Sequence, residues 1–185
     1  MSESIHAKGK LFELIHIQQP DGRVFEVARR APGVRLIIPN SEGRVLLTRE
    51  YRSELDSWDY RLPGGKVFDT LDEYQAFRES GKDIIVAARA KAIDEAKEEA
   101  GQEVNDLTFF KKSTLGATVE WDLYVFEAGN SNAHADGQHL EVGEQVETDN
   151  WFSYEQIEKM VLEAKMQEER IALVLLQWIK KARSA

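Results

Sequence analysis

The 185-residue sequence contains no cysteine. That excludes disulfides, a thiolate nucleophile and a zinc–thiolate centre. It also lacks an excess of positive charge, with a formal net charge of −9. General nucleic-acid binding needs a basic surface, so that function class is set aside. An anionic small substrate is not, because metal ions reverse the local sign of a carboxylate site. No apolar run follows Met1, and no stretch is long enough to span a bilayer. Neither a signal peptide nor a membrane segment is expected, and the expectation is a soluble, cytoplasmic protein. Glycines do not recur as a phosphate-cradling loop. Gly64-Gly65 stand as a pair before Lys66, which is neither a Walker loop nor a dinucleotide fingerprint. No internal repeat or low-complexity segment interrupts the chain.

What is present suits one domain with a real core, since 42% of the residues are hydrophobic. Strands are expected at 11–18 and 23–28, joined through Gln19-Pro20-Asp21-Gly22 into an antiparallel hairpin. Further strands are expected at 34–39, 44–51, 107–110 and 121–127, and the polar stretch 129–143 reads as a loop. Thr70 and Glu73 form a capping-box pair that predicts a short helix over 70–80. A second helix is predicted from Asp83 to Ala100, closed by Gly101 as a left-handed residue. Ser153 and Gln156 start a third, and Ile171, Val174, Leu175, Trp178 and Ile179 recur at helical spacing as core or as a dimer face.

The second helix ends in Asp94-Glu95-Ala96-Lys97-Glu98-Glu99-Ala100-Gly101. Glu95, Glu98 and Glu99 fall at i, i+3 and i+4, so their carboxylates share a face and repel. They also crowd the helix C-terminus, where the macrodipole already disfavours negative charge. Two readings are open. One is a solvated acidic face eased by Lys97. The other is a claw of hard oxygen ligands for Mg²⁺ or Mn²⁺.

Upstream lies Leu62-Pro63-Gly64-Gly65. Leu-Pro-Gly-Gly ahead of an acidic helix ending in E-x-x-E-E-x-G resembles the Nudix hydrolase family, whose motif is G-x5-E-x7-R-E-U-x-E-E-x-G-U, with U aliphatic. The glutamates and Gly101 match. Gly65 to Asp94 spans 29 positions where the motif has 14, so about 15 residues are inserted, mostly the helix at 70–80. The insertion leaves no clear match for the first motif glutamate, although Asp72 and Glu73 are stand-ins. Asp94 inverts the charge of the motif arginine, and Lys91 or Lys97 is a candidate to take its role. Gln102 replaces an aliphatic residue. The order of the strand with Arg49-Glu50-Tyr51-Arg52, the tryptophan segment, Gly116-Ala117-Thr118-Val119-Glu120 and the late acidic loop 141–147 is similar to the ADP-ribose and nucleoside-diphosphate-sugar pyrophosphatase branch.

The resemblance implies an α/β/α sandwich with a mixed sheet, divided as a β-hairpin extension over 1–32 and a hydrolase domain over 33–185 with an inserted helix at about 67–82. It implies a nucleotide-type substrate, most simply ADP-ribose or a sugar nucleotide, cleaved at its diphosphate. Glu95, Glu98, Glu99 and the main-chain carbonyl of Gly64 would hold Mg²⁺ or Mn²⁺. Water made more acidic by the cation would attack phosphorus. Glu144 or Glu147 of the acidic loop would act as general base, with Glu144 preferred.

Arg49, Arg52, Arg29 and Lys66 are candidate phosphate contacts, and Tyr51, Trp58 and Phe68 candidate stacking partners. A surface charge, an ion pair or core packing is the competing reading for each. His134 and His139 lie in the polar loop, five apart and without a partner pattern, so no metal role is read for them. The inserted helix is expected to cap the mouth of the site, and the hairpin to support a homodimer. The competing reading of the whole is a catalytically silent Nudix-fold module that binds a nucleotide or protein, which Asp94 and the insertion would suit.

Overall fold

The computed structural model describes residues 2–184. The chain begins with β1 (Ser2–Lys8), β2 (Glu13–Gln18) and β3 (Val24–Arg29). These form an antiparallel meander, so the expected hairpin gains a strand on its outer edge. All seven residues of β1 are exposed, and a strand with no buried face leaves no alternation to read.

Next come β4 (Gly33–Ile37), β5 (Arg44–Arg52) and β6 (Ser57–Arg61), then α1 (Leu71–Ser80) and α2 (Ile84–Glu98). Thr70 and Glu73 close both bonds of the capping box on α1, and Gly81 ends the helix in the left-handed region. Asp83 caps α2, and Gly101 takes φ 59° just past its end. The chain continues through β7 (Gln102–Asn105), β8 (Thr108–Ser113), β9 (Val119–Glu120), β10 (Leu123–Glu127), β11 (Asn130–Ala133) and β12 (Val146–Ser153). It ends in α3 (Tyr154–Leu162) and α4 (Glu169–Ala182), with the Ser153/Gln156 capping box in place.

In one sheet β10 runs parallel to β4 and antiparallel to β8. In a second, β5 lies between β12 and β6. The pairing of Pro39 with Val45 links the two. Helices cover both faces, which is why β4 and β10 read as continuous apolar runs. Val34, Leu36, Ile38, Leu46, Tyr124 and Phe126 pack against the alanines of α2. Their neighbours Ile37, Val45, Leu47, Leu123 and Val125 pack on the other side with α3 and α4, around fully buried Leu175 and Trp178. This is the expected mixed α/β sandwich. The loop expected over 129–143 contains β11, whose polar residues pair with β7 through the backbone. The N-terminal meander joins the rest where β3 runs parallel to β9. Buried Arg29 sits at that junction, held by Glu3 at 2.5 Å, Glu120 at 2.9 Å and Glu13 at 3.5 Å. Among the described residues no helix is long and apolar enough to cross a membrane.

Candidate active site

The C-terminal end of α2 meets the Leu-Pro-Gly-Gly turn at a cleft of about 250 Å³. The contact depends on two glycines. Gly64 takes φ 144°, and a Cβ there would lie 2.2 Å from the Val34 carbonyl oxygen of β4. A Cβ on Gly65 would lie 2.1 Å from Glu95 Oε1, so only glycine lets this carboxylate approach the turn. The Gly64 N–H donates to Glu99 Oε2 at 2.8 Å.

The three glutamates have different surroundings. Glu95 is buried, and burial raises its pKa. Lys91 Nζ lies 3.1 Å from Glu95 and 3.3 Å from Glu98, so an ammonium already bridges two of the three carboxylates. Burial pulls that ammonium's pKa down, but Glu95 and Glu98 outweigh it and hold it above its usual value. Glu99 is pushed up to about 8 by burial and then by the charge of Glu95, against the opposing pull of the Gly64 N–H and Arg35. Asp94 is exposed.

The donor set fits a hard divalent cation: carboxylate oxygens on one helix face, a buried carboxyl short of positive charge, and a cation already attracted between two of them. Even so, the one trio of ligand atoms within 4.8 Å of one another among the described residues is His134, Asp136 and His139. The Gly64 carbonyl accepts from Arg35 Nη1, which leaves it one lone pair.

The cleft also has a cationic wall. Arg30, Arg35, Arg52, Arg61 and Lys66 line the cleft together with Glu50 and Trp121. Arg35 is a charge inside the apolar run of β4, and burial lowers its pKa, followed by the nearby charge of Arg61. Glu168, at the start of α4, holds this wall together. It lies 3.6 Å from Arg35, 3.2 Å from Arg170 and in direct contact with Arg61. The guanidinium groups of Arg30 and Arg170 lie over the Trp121 ring, at 4.3 and 4.5 Å from its centre. Sequence reasoning missed Arg30, Arg35, Arg61 and Glu168. The available signal was Arg35 itself, since a charge in a run buried on both faces has to have a partner.

Of the residues expected from the sequence, Glu95, Glu98, Glu99, Gly64, Lys66, Arg52 and Glu144 line the cleft. Arg52 is paired to Glu50 at 2.6 Å. Arg49, Trp58 and Glu147 sit outside the lining, on one another: Arg49 lies 3.0 Å from Glu147 and 4.8 Å above the Trp58 ring. Tyr51 bonds Asp56, and Phe68 packs on Tyr74 and Phe77. Arg29 belongs to the N-terminal junction. The inserted helix does not cap the mouth as expected. Its side chains are absent from the lining, and it leans on the N-terminal meander through Asp72 to Lys8 at 2.5 Å and Arg78 to Glu3 at 3.9 Å. Only Lys66 and Asp69, just before it, reach the cleft.

The acidic loop is fastened to the end of α2. A helix leaves its last carbonyls without intrahelical partners. Here His139 N–H donates to the Glu98 carbonyl at 3.0 Å, the Gln138 amide to that of Glu99, the Thr148 hydroxyl to that of Ala100 at 3.0 Å, and His134 N–H to that of Gly101 at 2.8 Å. The segment so anchored carries Glu141 and Glu144 into the cleft.

The family model for the NUDIX domain matches residues 29–175. The chain belongs to the NUDIX family, the Nudix hydrolases that its glutamates and glycine turn resemble. A solved structure titled as the crystal structure of an ADP compounds hydrolase has the same fold, with a TM-score of 0.65 at 21% identity, covering 98% of this chain and 94% of that one. Comparison with curated proteins found no match.

Proposed function

We propose that this cleft hydrolyses the diphosphate of a nucleoside diphosphate linked to another moiety, with ADP-ribose or a sugar nucleotide as the substrate class and Mg²⁺ or Mn²⁺ as cofactor. One observation carries the reading. Glu95, Glu98 and Glu99 line the same cleft as Arg30, Arg35, Arg52 and Arg61, a combination that suits a cation and a polyanion side by side. The solved relative described as acting on ADP compounds supports the same class.

When bound, the cation would neutralise the diphosphate and make a water molecule more acidic. Glu95, Glu98, Glu99 and the remaining lone pair of the Gly64 carbonyl would hold it, displacing Lys91 and the Glu99 proton. Lys66, Arg52 and Arg30 would orient the phosphates. Glu144, on the anchored loop, would take the proton of the attacking water, and Glu147 is the second choice because it lies outside the lining. Arg49 and Trp58 would meet only a moiety that extends past the cleft. The exposed Ile5, Phe12, Val24 and Phe25 of the N-terminal meander support a homodimer, and a monomer by light scattering would remove that part. The net charge of −9 supports a small-molecule partner over nucleic acid.

The test is product release from a panel of ADP-ribose, sugar nucleotides, dinucleoside polyphosphates and nucleoside triphosphates, with Mg²⁺ or Mn²⁺, by the native protein and by Glu99→Gln. Metal-dependent cleavage that the substitution abolishes is the expected result. No cleavage of any member would favour a silent binding module, the reading to which Asp94 and the Lys91 ammonium among the glutamates lend support.

A further inference from the structure

We propose a second metal site, for a borderline transition cation such as Zn²⁺, formed by His134, Asp136 and His139 on the loop between β11 and β12. A ligand atom from each of the three lies within 4.8 Å of the other two. Two imidazoles and a carboxylate suit Zn²⁺, Co²⁺ or Ni²⁺, whereas the all-oxygen set on α2 suits Mg²⁺ or Mn²⁺. The two sites therefore differ in chemistry, and they adjoin, because His139 also lines the cleft. A four-coordinate Zn²⁺ with bonds of about 2.0 Å holds its ligands roughly 3.3 Å apart. Asp136 and His139 are exposed, so side-chain rotation closes the remaining gap without disturbing the core.

A second observation points to a ligand independently. His134 Nδ1 is buried and has no hydrogen-bond partner, while its Nε2 faces Glu103 Oε1 at 3.8 Å. A buried ring nitrogen left unpaired is unfavourable. A cation on Nδ1 would satisfy it, with Glu103 behind the other nitrogen. A carboxylate in that position fixes ring orientation and raises ligand basicity at many histidine metal sites.

The backbone is already shaped for this. Gly137, at φ 72°, donates its N–H to the His134 carbonyl at 3.1 Å, which turns the chain so that residue 139 returns to residue 134. The N–H groups of His134 and His139 are both fixed to carbonyls at the end of α2. Two residues beyond His139 the chain supplies Glu141 to the cleft, and then Glu144. A cation here would fix the loop that presents these carboxylates. That consequence rests on the hydrolase reading, whereas the binding of the ion does not.

The experiment is calorimetric titration of Zn²⁺ into the full chain in excess Mg²⁺, which occupies hard-oxygen sites, together with the visible spectrum of the Co²⁺ form. One equivalent is expected to bind, with the strong visible band of four-coordinate Co²⁺. Asp136→Asn and His134→Gln should each weaken binding at least about tenfold and abolish the band, and Glu99→Gln should leave both unchanged. If His134→Gln fails to fold, Asp136→Asn decides alone, because that side chain is exposed and its shape is kept. Zn²⁺ binding that survives Asp136→Asn, or that is lost in Glu99→Gln, would overturn the proposal. So would the absence of a strong Co²⁺ band. Because the readout is binding, the answer does not depend on whether the cleft hydrolyses anything.

Discussion

Replacing Glu99 with glutamine should stabilise the metal-free protein at neutral pH, although Glu99 is a central member of the proposed cation claw. In the folded chain this carboxyl is pushed up to about 8 from an ordinary 4.5, by burial first and then by Glu95. A group whose pKa is raised on folding gives its full stabilisation below the unfolded value and loses it as pH rises through the folded one. The window therefore runs from about 4.5 to about 8, with a slope of about 1.4 kcal/mol per pH unit. By pH 7 this removes about 3 kcal/mol relative to pH 4. Glutamine has nearly the same shape and keeps an oxygen for the Gly64 N–H, but it has no proton to hold. Urea unfolding of both proteins in chelator at half-unit steps from pH 5 to 8.5 makes the comparison. The gap in favour of Glu99→Gln should widen up to about pH 8 and then level. Adding Mg²⁺ should reverse it, because a cation that binds only the folded native cleft stabilises it by mass action and displaces the proton. Parallel curves at every pH would mean that Glu99 is ionised throughout, and the account of a carboxyl short of positive charge would be wrong.

The two glycines of the turn should fail in different ways. Gly64→Ala drives a methyl group into the backbone of β4 and should lower stability by more than about 2 kcal/mol in thermal or urea melts, whereas Gly65→Ala meets only the movable end of Glu95 and should abolish metal-dependent hydrolysis at a cost of under about 1 kcal/mol. Equal losses of stability would refute the distinction. Glu168→Gln leaves Arg35, Arg61 and Arg170 without their shared counter-charge and should cost about 3 kcal/mol, seen as a fall in Tm of roughly 10 °C for a domain of this size. A Tm within about 2 °C of native would show that Glu50 alone balances the arginine wall.

The parts of this fold legible in the sequence are those fixed by near neighbours. Thr70 and Ser153 each close a capping box with a residue three positions on, and both helices begin where those pairs put them. The glutamates of α2 were legible for the same reason, since one helix face carries all three. The cationic wall was not, because Arg30, Arg35, Arg61 and Glu168 come from separate parts of the chain and meet only through sheet order. Arg49 and Arg52 show a subtler failure. Both belong to β5, and both looked like phosphate ligands. They are three apart on a strand whose faces alternate every residue, so they cannot share a face. Glu50 and Arg52 turn to the cleft, while Arg49 and Tyr51 turn to Trp58 on the reverse side. The period-two rule, applied to the motif's own neighbours, would have separated them. β7 and β11 escaped notice because each is four residues long and mostly polar, although the burial of β7 alternates strictly.

That polar strand pair matters more than its composition suggests. It brings the loop after β11 back to the helix end, where four successive carbonyls from Glu98 to Gly101 are each taken by a donor from residues 134–148. Helices often close with a left-handed glycine and water alone. This one uses Gly101, whose N–H takes the Lys97 carbonyl, and gives the next four carbonyls to the loop. Moving the loop therefore costs hydrogen bonds at the turn of helix that carries Glu98 and Glu99, and unwinding that turn releases the loop. The carboxylates proposed to hold the cation and the carboxylate proposed to accept the proton are mechanically one unit, although 45 residues separate Glu99 from Glu144 in the chain. Gln138→Ala, which removes the side-chain donor to the Glu99 carbonyl, should therefore weaken both Mg²⁺ activation and turnover, read from one titration of activity against Mg²⁺.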